Sequence, residues 1–388
     1  MNQMRTAELT QEFEQRYGKQ PQLFSAPGRV NLIGEHTDYN EGFVLPMAIE
    51  RRTYVAGAPR DDRKVRVRSV NLQAEGTLDL DVPAAKRRGI WLDYIEGTAR
   101  SLLQRGFALR GADLLIYSEV PSGAGLSASA ALELAVGYAL CRLSGHDAPD
   151  RLTLALAGQA AEHEHVGTRC GVMDQYIAAL GEENAALLID CRTLEPKLIP
   201  LNLNTACFLI CDTGVKHDLA TSAYNERRAE CEGAVRLLSE SEPGLRSLRD
   251  VTLELFAEQS RRLPEVVQRR CRHVLNENRR TLAAALALQD GLLVDFGQLM
   301  NESHQSLRDD YEVSCAELDH AVAVASAQPG VYGSRMTGGG FGGCTVTLVE
   351  VAAVDAVSRT LRASFGARFG RVPALFSSGA AQGVRKEG

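Results

Sequence analysis

Two hydrophobic periods run along the chain. Strand-like segments with β-branched residues at 53–56, 65–70, 113–120, 186–190, 206–212 and 344–349 predict strands. Helical spacing separates them. Leu9, Phe13 and Tyr17 fall four apart, so residues 1–18 predict a short amphipathic helix. Trp91, Tyr94, Ile95, Leu102 and Leu103 share a second helix face, and Gly106 supplies a stop. From Leu219 to about Met300 the pattern is mostly helical. Strands early and long helices late predict an α+β fold. A length of 388 residues exceeds one compact core and predicts two lobes. The boundary falls after the strand that precedes Pro200, giving lobes 1–200 and 201–388.

Composition narrows the class. The hydrophobic fraction of 45% and charged fraction of 24% are those of a soluble globular protein. A net charge of −6 argues against a nucleic-acid binder, which would be basic, although an acidic chain can still build a locally positive site. Nine cysteines without a CxxC pair read as free thiols in a reducing cytoplasm. The N-terminal helix lacks the apolar core of a signal peptide, and no run of about 18 apolar residues predicts a membrane span.

Three segments break the pattern of strands and helices. The first reads Pro121-Ser122-Gly123-Ala124-Gly125-Leu126-Ser127-Ala128-Ser129 and leads from a strand into a strong helix former. Small residues admit a ligand close to the backbone, and a helix N-terminus with free N–H groups suits phosphate. The same residues also fit a tight strand-to-helix turn with a serine cap, and the glycines alone do not separate the two. Neither GxxxxGK[ST] nor GxGxxG is matched, so a phosphate loop here would work without a P-loop lysine. The second segment begins at Arg335 and carries five glycines in the six positions 338–343, as a flexible hairpin or a backbone loop over a ligand. The third, Gly28-Arg29-Val30-Asn31-Leu32-Ile33-Gly34-Glu35-His36-Thr37-Asp38-Tyr39-Asn40, crowds Glu35, His36 and Asp38 into four positions. Carboxylates and an imidazole suit a ring of hydroxyls, and they equally fit a polar turn.

Together, and in this order, the three segments resemble those of the GHMP small-molecule kinases, and within that family the galactokinases. The similarity extends to Cys170-Gly171-Val172-Met173-Asp174-Gln175-Tyr176 and to the segment at 224–232, and so spans nearly the whole chain. It implies two α+β lobes with the active site in the cleft between them. The implied reaction is phosphoryl transfer from MgATP to galactose, giving galactose 1-phosphate and ADP.

The resemblance assigns roles residue by residue. Asp174 matches the catalytic aspartate, and Arg29 the arginine beside it. Glu35, His36 and Asp38 match sugar ligands, with Gly171 offering backbone and Tyr224 a phenol. Gly123, Ala124, Gly125, Leu126, Ser127, Ala128 and Ser129 match the triphosphate loop, and Trp91 an aromatic lining the adenine pocket. Ser129 and Glu162 match the positions that hold Mg2+. Taken alone, Asp174 reads as a helix cap, Trp91 as a core residue and Glu162 as an exposed helix position. One departure is Ala128, where many galactokinases carry a serine, which removes a hydroxyl near the phosphates while Ser129 keeps its own. The expected protein is a cytoplasmic monomer acting on small molecules, with no nucleic-acid or membrane partner. Rival activities are a related sugar kinase for N-acetylgalactosamine or arabinose, and a sugar sensor without turnover. The sensors have lost two residues from the serine-rich loop, which is full length here.

Overall fold

The computed structural model describes residues 2–83, 87–215 and 220–388. The first half runs α1 (Asn2–Tyr17), β1 (Gln22–Asn31), β2 (Phe43–Val44), β3 (Pro46–Pro59), β4 (Lys64–Ser69), β5 (Ala74–Asp79), α2 (Leu92–Gln104) and β6 (Ala112–Ser118). It continues through α3 (Ala128–Leu143), α4 (Arg151–Ala161), α5 (Met173–Leu180), β7 (Ala185–Asp190) and β8 (Glu195–Pro200). The second half runs β9 (Ala206–Asp212), α6 (Ala220–Ser239), α7 (Leu253–Gln259), α8 (Glu265–Gln289), α9 (Leu293–Asp309) and α10 (Ala316–Ser326). It closes with β10 (Val331–Thr337), β11 (Cys344–Glu350), α11 (Val354–Phe369), β12 (Ala374–Ser378) and β13 (Arg385–Lys386). The mixture is α+β. Each predicted strand and helix falls on one of these elements, apart from Met1 and Leu219, which lie outside the described residues.

The strands form three sheets. The first has the order β13-β1-β3-β6-β4-β5, the second β10-β11-β9-β12, and the third β2-β7-β8. The short β13 brings the chain's end back beside β1, pairing Lys386 with Phe24. Alternation along β3 explains how the first sheet is covered on both faces. Val55 joins Phe24, Ile95, Leu134 and Leu140 under α2 and α3. Tyr54 and Ala56 point the other way, onto Leu9 and Phe13 of α1. A separate core sets Val30, Leu32 and Met47 against Phe208, Ile210, Val346 and Leu348, and so joins the first sheet to the second. The glycine segments lie where these cores meet.

One difference from the sequence reading matters for the site. Residues 28–31 are the end of strand β1 rather than part of a loop, and Arg335, Met336 and Thr337 are the end of β10. The β1–β3 register shifts between Pro27 and Arg29. A Cβ on Gly28 would lie 2.7 Å from the Leu126 carbonyl and 2.9 Å from Val120 Cγ1. Only glycine lets the bulged strand pass this close, and the Arg29 amide then donates to the Leu126 carbonyl at 3.1 Å. The bulge brings the strand against the glycine segment at 121–129.

Candidate active site

Arg29 reaches out from that bulge. Its Nε donates to Asp174 Oδ1 and its Nη2 to Asp174 Oδ2, each at 2.8 Å, while Nη1 donates to the Gly125 carbonyl at 2.5 Å. Asp174 sits in the first turn of α5, but the helix is capped at Val172 with no side-chain cap bond. Its carboxylate is therefore committed to Arg29, and to the Ser127 hydroxyl, which donates to Oδ2. Ser127 holds a left-handed backbone, φ +57°, at the N-cap of α3. That conformation is uncommon for a residue with a Cβ and recurs where function over-determines the backbone.

The two glycine segments meet backbone to backbone. A Cβ on Gly338, whose φ is +84°, would stand 2.7 Å from the Gly125 carbonyl. Gly343, with φ +83°, is equally tight against the Ala124 carbonyl at 2.8 Å. These contacts explain the density of glycines in the second segment more directly than flexibility does.

Two cavities flank the Arg29–Asp174 pair. The larger, about 670 Å³, is lined by Gly123, Gly125, Leu126, Ser127, Ala128 and Ser129, with Trp91, Tyr94 and Asn71 farther out. The first-turn amides of α3 have no partner within the helix and suit phosphate oxygens. Ala124 is buried behind this wall. Trp91 sits at the N-cap of α2, half-buried, packing on the core with one side and lining the cavity with the other. The smaller cavity, about 70 Å³, is lined by Glu35, His36, Asp38, Met173, Tyr224 and Gly338. Arg29, Asp174 and Gly339 line both. The pair thus stands at the one junction across which a group would pass.

The small cavity is lined by buried polar groups. Burial, and then the nearby Asp174 carboxylate, push Asp38 up to about 6. Gly171 stands against that carboxylate, where a Cβ would lie 1.9 Å from Oδ2. His36 is driven down to about 3, chiefly by burial and then by His273, so its imidazole is neutral. Tyr224, on α6, sets its ring 5.4 Å from that of His36. Glu35 is pushed up by burial and held back by Arg335. Its Oε2 accepts from Arg335 and its Oε1 from the Gly338 amide at 2.9 Å. The segment after β1 is tied in this way to the second glycine loop.

Glu162 is not an exposed helix residue. It opens a π-helical turn, Glu162–Val166, and is buried. Burial lifts its carboxyl well above the usual range, opposed by a hydrogen bond from the Ser129 hydroxyl and aggravated by Asp174. Gln175 Nε2 reaches it at 3.5 Å and Glu133 at 3.0 Å. Glu162 makes no salt bridge among the described residues. A hydroxyl beside a buried carboxylate lacking a cation is a donor set that fits a hard divalent ion.

Several participants carried no sequence signal strong enough to single out. Arg335 is fully buried between Glu35 and Glu277, with Nη2 3.7 Å from Glu277 Oε1. Glu277, His273 and Thr281 lie at helical spacing on the buried face of α8, a row of polar residues where core residues are expected. Tyr94, on α2, and Asn71, in the turn between β4 and β5, also reach the larger cavity.

Comparison with known proteins decides the family. Residues 11–59 match the galactokinase galactose-binding signature, residues 93–182 the GHMP kinase N-terminal domain and residues 283–367 the GHMP kinase C-terminal domain. The chain belongs to the galactokinase family of GHMP kinases. It is 54% identical over 371 residues to a galactokinase of Chloroflexus aggregans, covering 95% of each chain. It is 48% identical over 380 residues to one of Roseiflexus, covering 98% of this chain and 96% of that one. The crystal structure of Lactococcus lactis galactokinase complexed with galactose superposes with a TM-score of 0.94 at 36% identity, over 98% of this chain and all of that one. Methanococcus jannaschii mevalonate kinase, at 17% identity and a TM-score of 0.64, shares the fold. The chain is thus a kinase of this family, using ATP.

Proposed function

We propose that this chain transfers the γ-phosphoryl group of MgATP to the anomeric hydroxyl of galactose, with the acceptor in the small cavity and the nucleotide in the large one. The single observation that carries the reading is the Arg29–Asp174 pair, which lines both cavities at once. Each carboxylate oxygen offers about two acceptor positions. Nε and Nη2 of Arg29 approach Oδ1 at 2.8 and 2.7 Å, while Nη2 and the Ser127 hydroxyl donate to Oδ2; the carboxylate held by these bonds would take up the anomeric hydroxyl proton. Arg29 is then placed to neutralise charge on the migrating phosphoryl group.

Glu35, His36 and Asp38 recognise the sugar hydroxyls with Tyr224 and the Gly171 backbone. The loop from Gly123 to Ser129 holds the triphosphate, and Trp91 borders the adenine. Ser129 and Glu162 would hold Mg2+, which supplies charge neutralisation on the phosphates. No three carboxylate, imidazole or thiol groups converge on a metal position among the described residues, so a hard ion held by Ser129 and Glu162 would need further oxygen ligands from substrate and solvent. The protein is read as a monomer of two lobes, 1–200 and 201–388, with the strand at Arg385–Lys386 returning to the sheet of the first. All nine cysteines are free, in keeping with a reducing cytoplasm, and no helix among the described residues is long and apolar enough to cross a membrane.

The test is a sugar panel in an ADP-release assay. Galactose is expected to turn over with the highest kcat/KM. A preference for N-acetylgalactosamine or arabinose would reassign the substrate, and binding without ADP release would make the chain a sensor.

A further inference from the structure

Behind the small cavity runs a row of hydrogen-bonding groups that the reaction above does not use. His36 Nδ1 lies 2.8 Å from the Tyr39 hydroxyl, which lies 2.8 Å from that of Tyr311. The Tyr311 hydroxyl lies 3.2 Å from Cys231 Sγ. The groups come from the turn after β1, the end of α9 and the middle of α6. His36 itself holds a left-handed backbone, φ +63°, and its ring centroid lies 4.7 Å from that of Tyr311. Its second nitrogen, Nε2, is buried with no hydrogen-bond partner, although the residue lines the cavity. A buried, unpartnered nitrogen is costly and calls for a ligand.

The direction of the row follows from its two ends. The imidazole is neutral, so one nitrogen carries the proton and the other accepts. At one end a bare imidazole nitrogen is a stronger acceptor than a phenol oxygen and a phenol O–H a stronger donor than a neutral imidazole N–H; at the other, a thiol sulfur accepts only weakly. The proton therefore belongs on Nε2, and bare Nδ1 takes the Tyr39 O–H. Tyr39 in turn accepts from Tyr311, and Tyr311 from the Cys231 thiol. Each hydroxyl gives one hydrogen bond and takes one, leaving none orphaned.

We propose that Tyr39, Tyr311 and Cys231 are positioning residues that hold His36 with its proton on Nε2, so that it donates to one hydroxyl oxygen of the sugar. This rests on the reading that galactose occupies the small cavity. A site preset to donate discriminates against an analogue lacking the acceptor, because the N–H is then left unpaired.

The experiment has two arms. Long-range ¹H–¹⁵N correlation on histidine-labelled wild-type protein without sugar, with His36 assigned from its loss in His36→Gln, reads the tautomer directly. Protonated Nε2 and bare Nδ1 are expected, and a proton on Nδ1 overturns the proposal even if no variant folds. In the second arm, Tyr39→Phe should raise the KM for galactose about tenfold, with kcat and the KM for ATP within about twofold. Tyr311→Phe should act in the same direction by about threefold. Across monodeoxygalactoses, the penalty for one analogue alone should collapse in Tyr39→Phe. An unchanged galactose KM, or an unchanged penalty for every analogue, overturns the proposal. His36→Phe separates the failures: an unaffected galactose KM there would mean that the sugar does not bind in this cavity, whereas a raised KM together with a proton on Nδ1 would sink the relay alone.

Discussion

Gly171 and Asp38 occupy the same space to within an atom: a Cβ on Gly171 would lie 1.9 Å from Oδ2 of Asp38 and 2.7 Å from its Cβ. Gly171 is thus needed for the absence of a side chain, and a methyl group there must turn the Asp38 carboxylate out of the sugar cavity. Gly171→Ala is expected to raise the KM for galactose by about a hundredfold while the Kd for ATP stays within twofold, since the large cavity is untouched. Steady-state kinetics with each substrate varied in turn checks this.

Asp38 also sets a pH limit. Burial and the Asp174 carboxylate hold it up at about 6 in the folded protein. A carboxyl raised on folding opposes stability once ionised, so its contribution to the sugar-free fold weakens as pH rises from about 4 through 6. Sugar binding has the opposite sign, because the ionised carboxylate accepts from hydroxyls. The kcat/KM for galactose should therefore fall about tenfold per pH unit below pH 6. The pH profile of Asp38→Asn should lack this limb at a uniformly lower level.

Glu162 and Ser129 predict a metal-specific defect. Glu162→Gln removes the charge but keeps the shape, and should raise the Mg2+ concentration needed for half-maximal rate at least tenfold. Ser129→Ala should give a smaller shift in the same direction. Titration of Mg2+ at saturating galactose reads both, and an unchanged Mg2+ dependence in Glu162→Gln would remove that residue from the metal site.

Arg335 carries a stability prediction. It is fully buried and pairs with Glu35, whereas Glu277, 3.7 Å away, also holds Arg280 at 2.8 Å, so removing Arg335 leaves the buried Glu35 carboxylate without its cation. Losing one partner of a buried ion pair costs about 3–5 kcal/mol. Arg335→Met should lower unfolding stability by that amount in urea, and should weaken galactose binding because Glu35 loses its anchor.

How much of this was legible in the sequence depended on whether the cause was local. Segment 206–212 declared itself because a strand in a sheet buried on both faces leaves a nearly continuous apolar run, and segment 344–349 because its Thr and Val residues favour a strand. Strand β8 did not, since most of its positions are exposed at a sheet edge. The first residues of the sugar segment read as loop because Gly28 and Arg29 look like turn residues; only the Leu126 carbonyl, almost a hundred positions away, explains the glycine. Asp174 read alone as a helix cap, and its true partner lies 145 residues away. Arg335, Glu277 and Tyr94 were invisible for the same reason, since their roles exist only through long-range contacts. Their nearest signal was buried charge at core spacing, as along α8.

The central claim is that phosphoryl transfer to galactose runs through Asp174 at the junction of the two cavities. It is tested most directly by following galactose 1-phosphate formation by ³¹P NMR with wild-type protein and Asp174→Ala, alongside ATP affinity. The wild type should phosphorylate the anomeric hydroxyl. Asp174→Ala should lower kcat by about a thousandfold or more, with the Kd for ATP within twofold. A variant retaining a tenth of the wild-type rate, or a product phosphorylated at another hydroxyl, would contradict it.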